Sequence, residues 1–194
     1  MGPRRRAMIE ALAYLAWLVA VAAAWDFGVF QISATGWAEV GVQVGGYAVS
    51  IAPIVVFAPG ILASLAMPRV QALTGGALVA AAIVYAGAAE HLGSSGLIET
   101  VVKYVATGVG EELAFRGFLW DRMRTAGLSG PLLVAANTGA FVAWHLVSVA
   151  AGQNQLSDLL GVAVFGVVFA VARLWSKNTG LPALLHIAAD IAGL

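Results

Sequence analysis

Six ionisable side chains lie inside otherwise apolar runs of this sequence, and they are the residues with chemistry to offer. Glu111, Glu112 and Arg116 share the stretch Gly110 to Gly117; His145 follows Phe141-Val142-Ala143-Trp144; His186 and Asp190 bracket Ile187-Ala188-Ala189. An ionised side chain near a bilayer centre costs roughly 2.5 to 3.5 kcal/mol on insertion scales, so each needs a partner, water or a function to keep it there. Two imidazoles and two carboxylates converging in lipid are what hydrolysis of a peptide bond requires. One group must take a proton from water, another must stabilise the developing oxyanion, and a cavity must hold the water against hydrocarbon. The same four residues, Glu111, His145, His186 and Asp190, are also a donor set for a divalent metal such as zinc that would make the hydroxide itself.

Spacing separates the two glutamates. Glu112 and Arg116 are four residues apart and share a helix face, where a carboxylate and a guanidinium can pair and partly cancel their desolvation. Glu111 points about 100° away with no such partner in its own helix, free to face other helices or a water-filled cavity. The expected division is a supporting Glu112 and a working Glu111. His186 and Asp190 likewise share one face.

The elements that must position these residues are membrane helices. Of 194 residues, 61% are hydrophobic and 10% charged, and the mean hydropathy is +0.90; a soluble domain has about a quarter of its residues charged. The reading is an all-α, polytopic integral membrane bundle of about seven segments, forming a single membrane domain. Residues 1–96 supply about three spans and residues 97–194 a catalytic core. The first span covers Ala7 to Trp25, a retained helix rather than a cleaved signal peptide. A polar connection through Gln31, Thr35 and Glu39 leads to a second apolar region ending near Met67, which Pro53 and Pro59 kink or divide. The third span runs from Val70 to Ala89 and closes on Glu90-His91 and Ser94-Ser95, with His91 read as a solvated surface histidine. The fourth helix passes through the motif from Leu97 to Arg124, longer than a span requires. The fifth runs from Pro131 to Ala151 and the sixth from Leu159 to Trp175. Leu181 to Leu194 rises only about 20 Å and reads either as a half-span or as a span cut short by an early chain end.

Loop charges give the orientation. Arg4, Arg5, Arg6, Arg69, Arg122, Arg124, Arg173 and Lys177 fall on one side of this arrangement, and Asp26, Glu39, Glu90, Glu99 and Asp158 on the other, with Lys103 alone near the acidic side. The positive-inside rule then places the N-terminus in the cytoplasm, and the expected location is a bacterial or archaeal plasma membrane. Measured from the inferred cytoplasmic helix ends, Glu111 lies about 14 Å deep, His145 about 21 Å, His186 about 8 Å and Asp190 about 14 Å, compatible with one cavity. Net charge is zero with the basic residues scattered, which argues against nucleic-acid binding. The absence of cysteine excludes disulfides, thiol nucleophiles and thiolate metal sites.

Glu111-Glu112 with Arg116, Phe141 with His145, and His186 with Asp190 resemble, in order and each in its own apolar helix, the EExxxR, FxxxH and Hxxx[Asn/Asp] motifs of the CPBP intramembrane proteases. That family groups type II CAAX prenyl endopeptidases with bacteriocin-processing and self-immunity proteins. The resemblance covers Val101 to the C-terminus. It implies that Glu111 with His145 activates the attacking water, that His186 with residue 190 holds the oxyanion, and that Glu112 and Arg116 support the site. Both zinc-dependent and metal-independent, glutamate-type mechanisms have been described for members. The family pattern often has Asn where this chain has Asp190. An amide donates a hydrogen bond to an oxyanion and an ionised carboxylate does not, so Asp190 would act protonated, as a metal ligand, or by orienting His186.

The function expected is therefore an intramembrane endopeptidase whose partners are the lipid bilayer and a membrane-embedded or lipid-anchored peptide or protein. In a short, prokaryote-like chain, a small peptide precursor, a sorting signal or a membrane-anchored regulator is favoured over a prenylated CAAX protein. The rival readings are a proton-coupled transporter, which would usually show an internal repeat absent here, and a catalytically silent immunity or scaffold protein. Trp25, Trp37, Trp120 and Trp175 read as interfacial anchors. Trp144 reads as packing in preference to lining a substrate groove, and Asn137 as an interhelical hydrogen-bond partner.

Overall fold

The computed structural model describes residues 1–29, 35–88 and 96–194, and among them are helices and turns but no strand. The helices are α1 (Pro3–Phe27), α2 (Trp37–Phe57), α3 (Arg69–Ala88), α4 (Leu97–Glu112), α5 (Trp120–Thr125), α6 (Gly130–Ala150), α7 (Asp158–Ser176) and α8 (Gly180–Ala192). Five of them, α1, α2, α3, α6 and α7, are long and apolar enough to cross a membrane. The fold is a helical membrane bundle. Gln31, Glu90, His91 and the serines after them lie outside the described residues, and so do the loop assignments that rested on them.

A π-helical stretch, Leu113–Leu119, joins α4 to α5 without a break, so residues 97 to 125 form one continuous helix. The wider turn of a π segment removes carbonyls from the regular i→i−4 ladder and leaves them for other donors. Two are taken by side chains from neighbouring helices. Asn137 on α6 donates from Nδ2 to the Phe115 carbonyl at 2.8 Å, and Arg173 on α7 donates from Nε to the Arg116 carbonyl at 2.8 Å. Asn137 thus has the interhelical role its position suggests. Arg173, read from sequence as a loop charge, is buried at 6% exposure. Its guanidinium also reaches Asp121, 3.4 Å away.

The prolines act differently from each other. Pro53 is accommodated inside α2, whereas Pro59 opens a short 3₁₀ turn, Pro59–Leu65, between α2 and α3. Trp37 and Trp175 are exposed at 58% and 75%, as interfacial tryptophans would be, but Trp120 is 2% exposed and does not anchor at an interface. It packs with Leu133 and Ala170, because the continuous helix turns that face inward at α5.

Glycines set the closest approaches. A Cβ on Gly108 would lie 2.7 Å from Ile187 Cγ1 and 3.3 Å from the Ala183 carbonyl oxygen, so α4 meets the backbone of α8 because Gly108 has no side chain. On the other side of α4, a Cβ on Gly110 would lie 2.9 Å from the Tyr47 ring. These contacts draw α2 and α8 onto the helix that carries Glu111. The first half of the chain is built into the same bundle: α1 packs on α6, α2 on α4, and α3 on α8. At one end of the bundle Glu10 is flanked by Arg6 at 2.8 Å and Arg122 at 3.2 Å. Glu39 and Lys103, 2.8 Å apart, pair the starts of α2 and α4.

Candidate active site

Glu112 and Arg116 form a pair buried at 0% exposure, with Arg116 Nη1 3.1 Å from Glu112 Oε1. Burial of two charges is tolerated only when hydrogen bonds and further partners satisfy them. Here Arg116 Nη2 donates to the Gly166 carbonyl at 2.9 Å, and the guanidinium stacks over the Phe141 ring, 4.3 Å from its centroid. Gly166 allows this approach, since a Cβ there would crowd Thr138 and Phe141 at 3.1 and 3.3 Å.

The pair in turn fixes His186. Its Nδ1 lies 3.0 Å from Glu112 Oε1, the carboxylate accepting, and its ring stacks on Phe169 at 4.7 Å. The other ring nitrogen, Nε2, faces Glu111 Oε2 at 3.7 Å and Asp190 Oδ1 at 3.6 Å. Two of the four residues singled out from sequence, Glu111 and Asp190, therefore flank one imidazole nitrogen of a third, His186. The i,i+4 spacing of His186 and Asp190 produces one side of this arrangement, and the Gly108 contact between α4 and α8 produces the other.

His145 stands apart from that cluster. Its Nδ1 donates to the Phe141 carbonyl one turn earlier at 2.9 Å, so the neutral ring keeps its lone pair on Nε2. It lines two cavities. One, of about 480 Å³, is bounded by α1, α2, α4 and α6 and is also lined by Glu111, Tyr47, Trp144 and Asp26. The other, of about 500 Å³, lies among α6, α7 and α8 and is lined by Phe141, Phe165, Phe169, His186 and Asp190. His145 is the shared wall, and no hydrogen bond joins it to Glu111. Trp144 lines the first cavity while its Nε1 donates to the Leu18 carbonyl at 3.2 Å.

Tyr47 was not legible as a site residue. Its hydroxyl donates to Glu111 Oε1 at 2.6 Å, which leaves Oε2 buried without a hydrogen-bond partner. The available signal is periodic: Glu39, Gln43 and Tyr47 recur every fourth residue in α2, as do Lys103, Thr107 and Glu111 in α4, polar positions in otherwise apolar helices. A tyrosine in the middle of a span also needs a partner for its hydroxyl.

As arranged, these side chains do not fit a metal ion. Among the described residues no three histidine, aspartate or glutamate side chains are grouped to hold one together, and Glu112 occupies His186 Nδ1.

The profile of the Rce1-like type II CAAX prenyl endopeptidases matches residues 93–192, more than half of the chain. The chain belongs to this family. No curated protein and no solved structure matches it. The matched residues run to the last residue of α8 and so include Glu111, Glu112, Arg116, His145, His186 and Asp190, the π segment and the Glu112–His186 contact. Tyr47 and the whole of α1 to α3 lie before them.

Proposed function

We propose that this Rce1-like protein is an intramembrane endopeptidase that uses Glu111 as its general base on a peptide bond of a membrane-embedded or lipid-anchored substrate. The observation that carries the reading is Glu111 itself, a carboxylate deep in an apolar bundle, with one oxygen held by Tyr47 and the other facing His186 across 3.7 Å beside a cavity. A carboxylate so placed is costly as structure and useful as a base.

The chemistry runs without a metal. A water in the cavity shared by Glu111 and His145 offers one hydrogen to Glu111 Oε2 and the other to the His145 Nε2 lone pair. Glu111 takes a proton as the water oxygen bonds to the scissile carbonyl carbon and the carbonyl π pair moves onto oxygen. His186, as an imidazolium, donates from Nε2 to that oxyanion while Glu112 holds Nδ1. Collapse re-forms the C=O bond and breaks C–N, and the proton on Glu111 passes to the leaving nitrogen. One water is consumed, and one carboxylic acid and one amine are released. Asp190, 3.6 Å from His186 Nε2, orients the imidazole.

The family's description names CAAX prenyl substrates, and a prenylated C-terminal peptide therefore belongs in the substrate panel beside small peptide precursors and membrane-anchored regulators. The N-terminus is read as cytoplasmic from the basic residues near it. The test is cleavage of that panel by purified protein in liposomes, wild type against Glu111→Ala, before and after chelation and zinc restoration. The expected result is Glu111-dependent cleavage that survives metal removal. Loss on chelation with recovery on zinc would replace this mechanism with a metal-dependent one, and absence of cleavage would favour the transport or silent-scaffold readings.

A further inference from the structure

Three polar pairs join α2 to α4 at four-residue intervals on both helices. Glu39 Oε1 meets Lys103 Nζ at 2.8 Å, Gln43 Nε2 donates to Thr107 Oγ1 at 3.1 Å, and Tyr47 Oη donates to Glu111 Oε1 at 2.6 Å. The equal steps mean that the two helices run parallel with their one-turn repeats in phase. The ladder descends from the paired helix starts to Glu111, and Glu39, Gln43, Tyr47, Lys103 and Glu111 all line the same cavity.

The last rung is the one that touches the base. The Tyr47 ring lies flat against α4 because residue 110 is glycine; a Cβ there would stand 2.9 to 3.0 Å from Tyr47 Cδ1, Cβ and Cγ. The hydroxyl engages Oε1 and leaves Oε2 buried without a hydrogen-bond partner, facing His186 Nε2 at 3.7 Å, so the bond selects which carboxylate oxygen is turned to the imidazole. A carboxylate free to rotate about its last torsion would offer either oxygen in varying directions, and loss of a fixed attack geometry costs rate rather than binding.

We propose that Tyr47 is a positioning residue for Glu111, and that α2, which lies before the residues matching the family, is part of the catalytic apparatus. This rests on the endopeptidase reading of Glu111. Tyr47 holds the general base in one rotamer with Oε2 turned to the reacting water, and the Gln43–Thr107 and Glu39–Lys103 pairs hold α2 in register so that it can.

The test compares wild type, Tyr47→Phe and Glu111→Gln as full-length protein in liposomes by two independent readouts. Infrared difference spectroscopy locates the Glu111 carboxyl band as the band lost in Glu111→Gln. Steady-state cleavage of the best substrate of the panel gives kcat and KM. The expected result is a Glu111 band displaced in Tyr47→Phe, a kcat lowered roughly ten- to a hundredfold and a KM within about twofold of wild type. An unmoved band overturns the hold of Tyr47 on Glu111 whatever the kinetics. A displaced band with unchanged kcat, or a loss confined to KM, overturns the positioning role. Absence of Glu111-dependent cleavage from the wild type overturns the endopeptidase reading and the positioning role with it, and the band separates that result from a failed Tyr47 contact.

Discussion

Glu112 meets His186 through the same oxygen that meets Arg116: Oε1 lies 3.0 Å from His186 Nδ1 and 3.1 Å from Arg116 Nη1. One buried carboxylate atom thereby ties α8 to the π segment of the long helix. It also sets the imidazole so that Nε2 is the nitrogen turned toward Glu111 and Asp190. In the proposed mechanism Glu112 acts by holding Arg116 and His186 at once.

Removing Glu112 should be felt first as instability. Glu112→Ala leaves the Arg116 guanidinium buried at 0% exposure without its counter-charge, and breaking a buried pair costs about 3–5 kcal/mol. The double change Glu112→Leu with Arg116→Met should recover part of that loss, since neither charge is then stranded. Both variants should be inactive, because His186 loses its Nδ1 partner. Unfolding midpoints in detergent check the first expectation; a double variant less stable than Glu112→Ala would contradict it.

The π segment should depend on its side-chain caps. Asn137→Leu leaves the Phe115 carbonyl without the 2.8 Å donor it now has, in a position buried at 0% exposure. An orphaned buried acceptor costs about 1–3 kcal/mol. Amide hydrogen exchange across residues 113–119 should quicken in this variant, while exchange in α3, which Asn137 does not touch, stays as it was.

Glycine substitutions should divide by position. Gly108→Ala places a Cβ against Ile187 and Ala183 and forces α4 from α8, lengthening the 3.7 Å step between Glu111 and His186. Gly139→Ala, where nothing lies within 4 Å, serves as the control. Small displacements of reacting groups can cost about a hundredfold in rate, so Gly108→Ala should lose activity on that scale while Gly139→Ala keeps it. Equal activities in the two variants would mean that the α4–α8 approach does not set the site.

Asp190→Asn should keep activity within about tenfold of wild type, because an amide preserves the shape beside His186 and adds a donor. Asp190→Ala, which removes the group facing His186 Nε2 at 3.6 Å, should fall further. The ratio of kcat values for the two variants is the measurement, and an Asn variant as poor as Ala would show that the charge of Asp190 is needed.

Much of this arrangement follows from spacings visible in the chain. The long fourth helix, the Glu112–Arg116 pair and the shared face of His186 and Asp190 are each consequences of four-residue steps in apolar runs, and local geometry carried them into the fold. What escaped the sequence depends on helices meeting one another. Tyr47 matters because Gly110 admits its ring, Trp120 is buried because α5 continues inward, and Arg173 is drawn in by a carbonyl that only a π segment exposes. The expected pairing of Glu111 with His145 is a further case. The two share a cavity, yet the direct neighbours of Glu111 are Tyr47 and His186, chosen by interhelical approach rather than by depth along the chain.

The most direct measurement is the kcat of Glu111→Gln in metal-depleted liposomes against wild type under the same conditions. Gln keeps the shape of the side chain and its contact with Tyr47 while removing the base. General-base catalysis contributes typically about 10²- to 10⁴-fold, and a fall within that range is expected with thermal stability retained. A Glu111→Gln protein that cleaves within a factor of about three of wild type would contradict it.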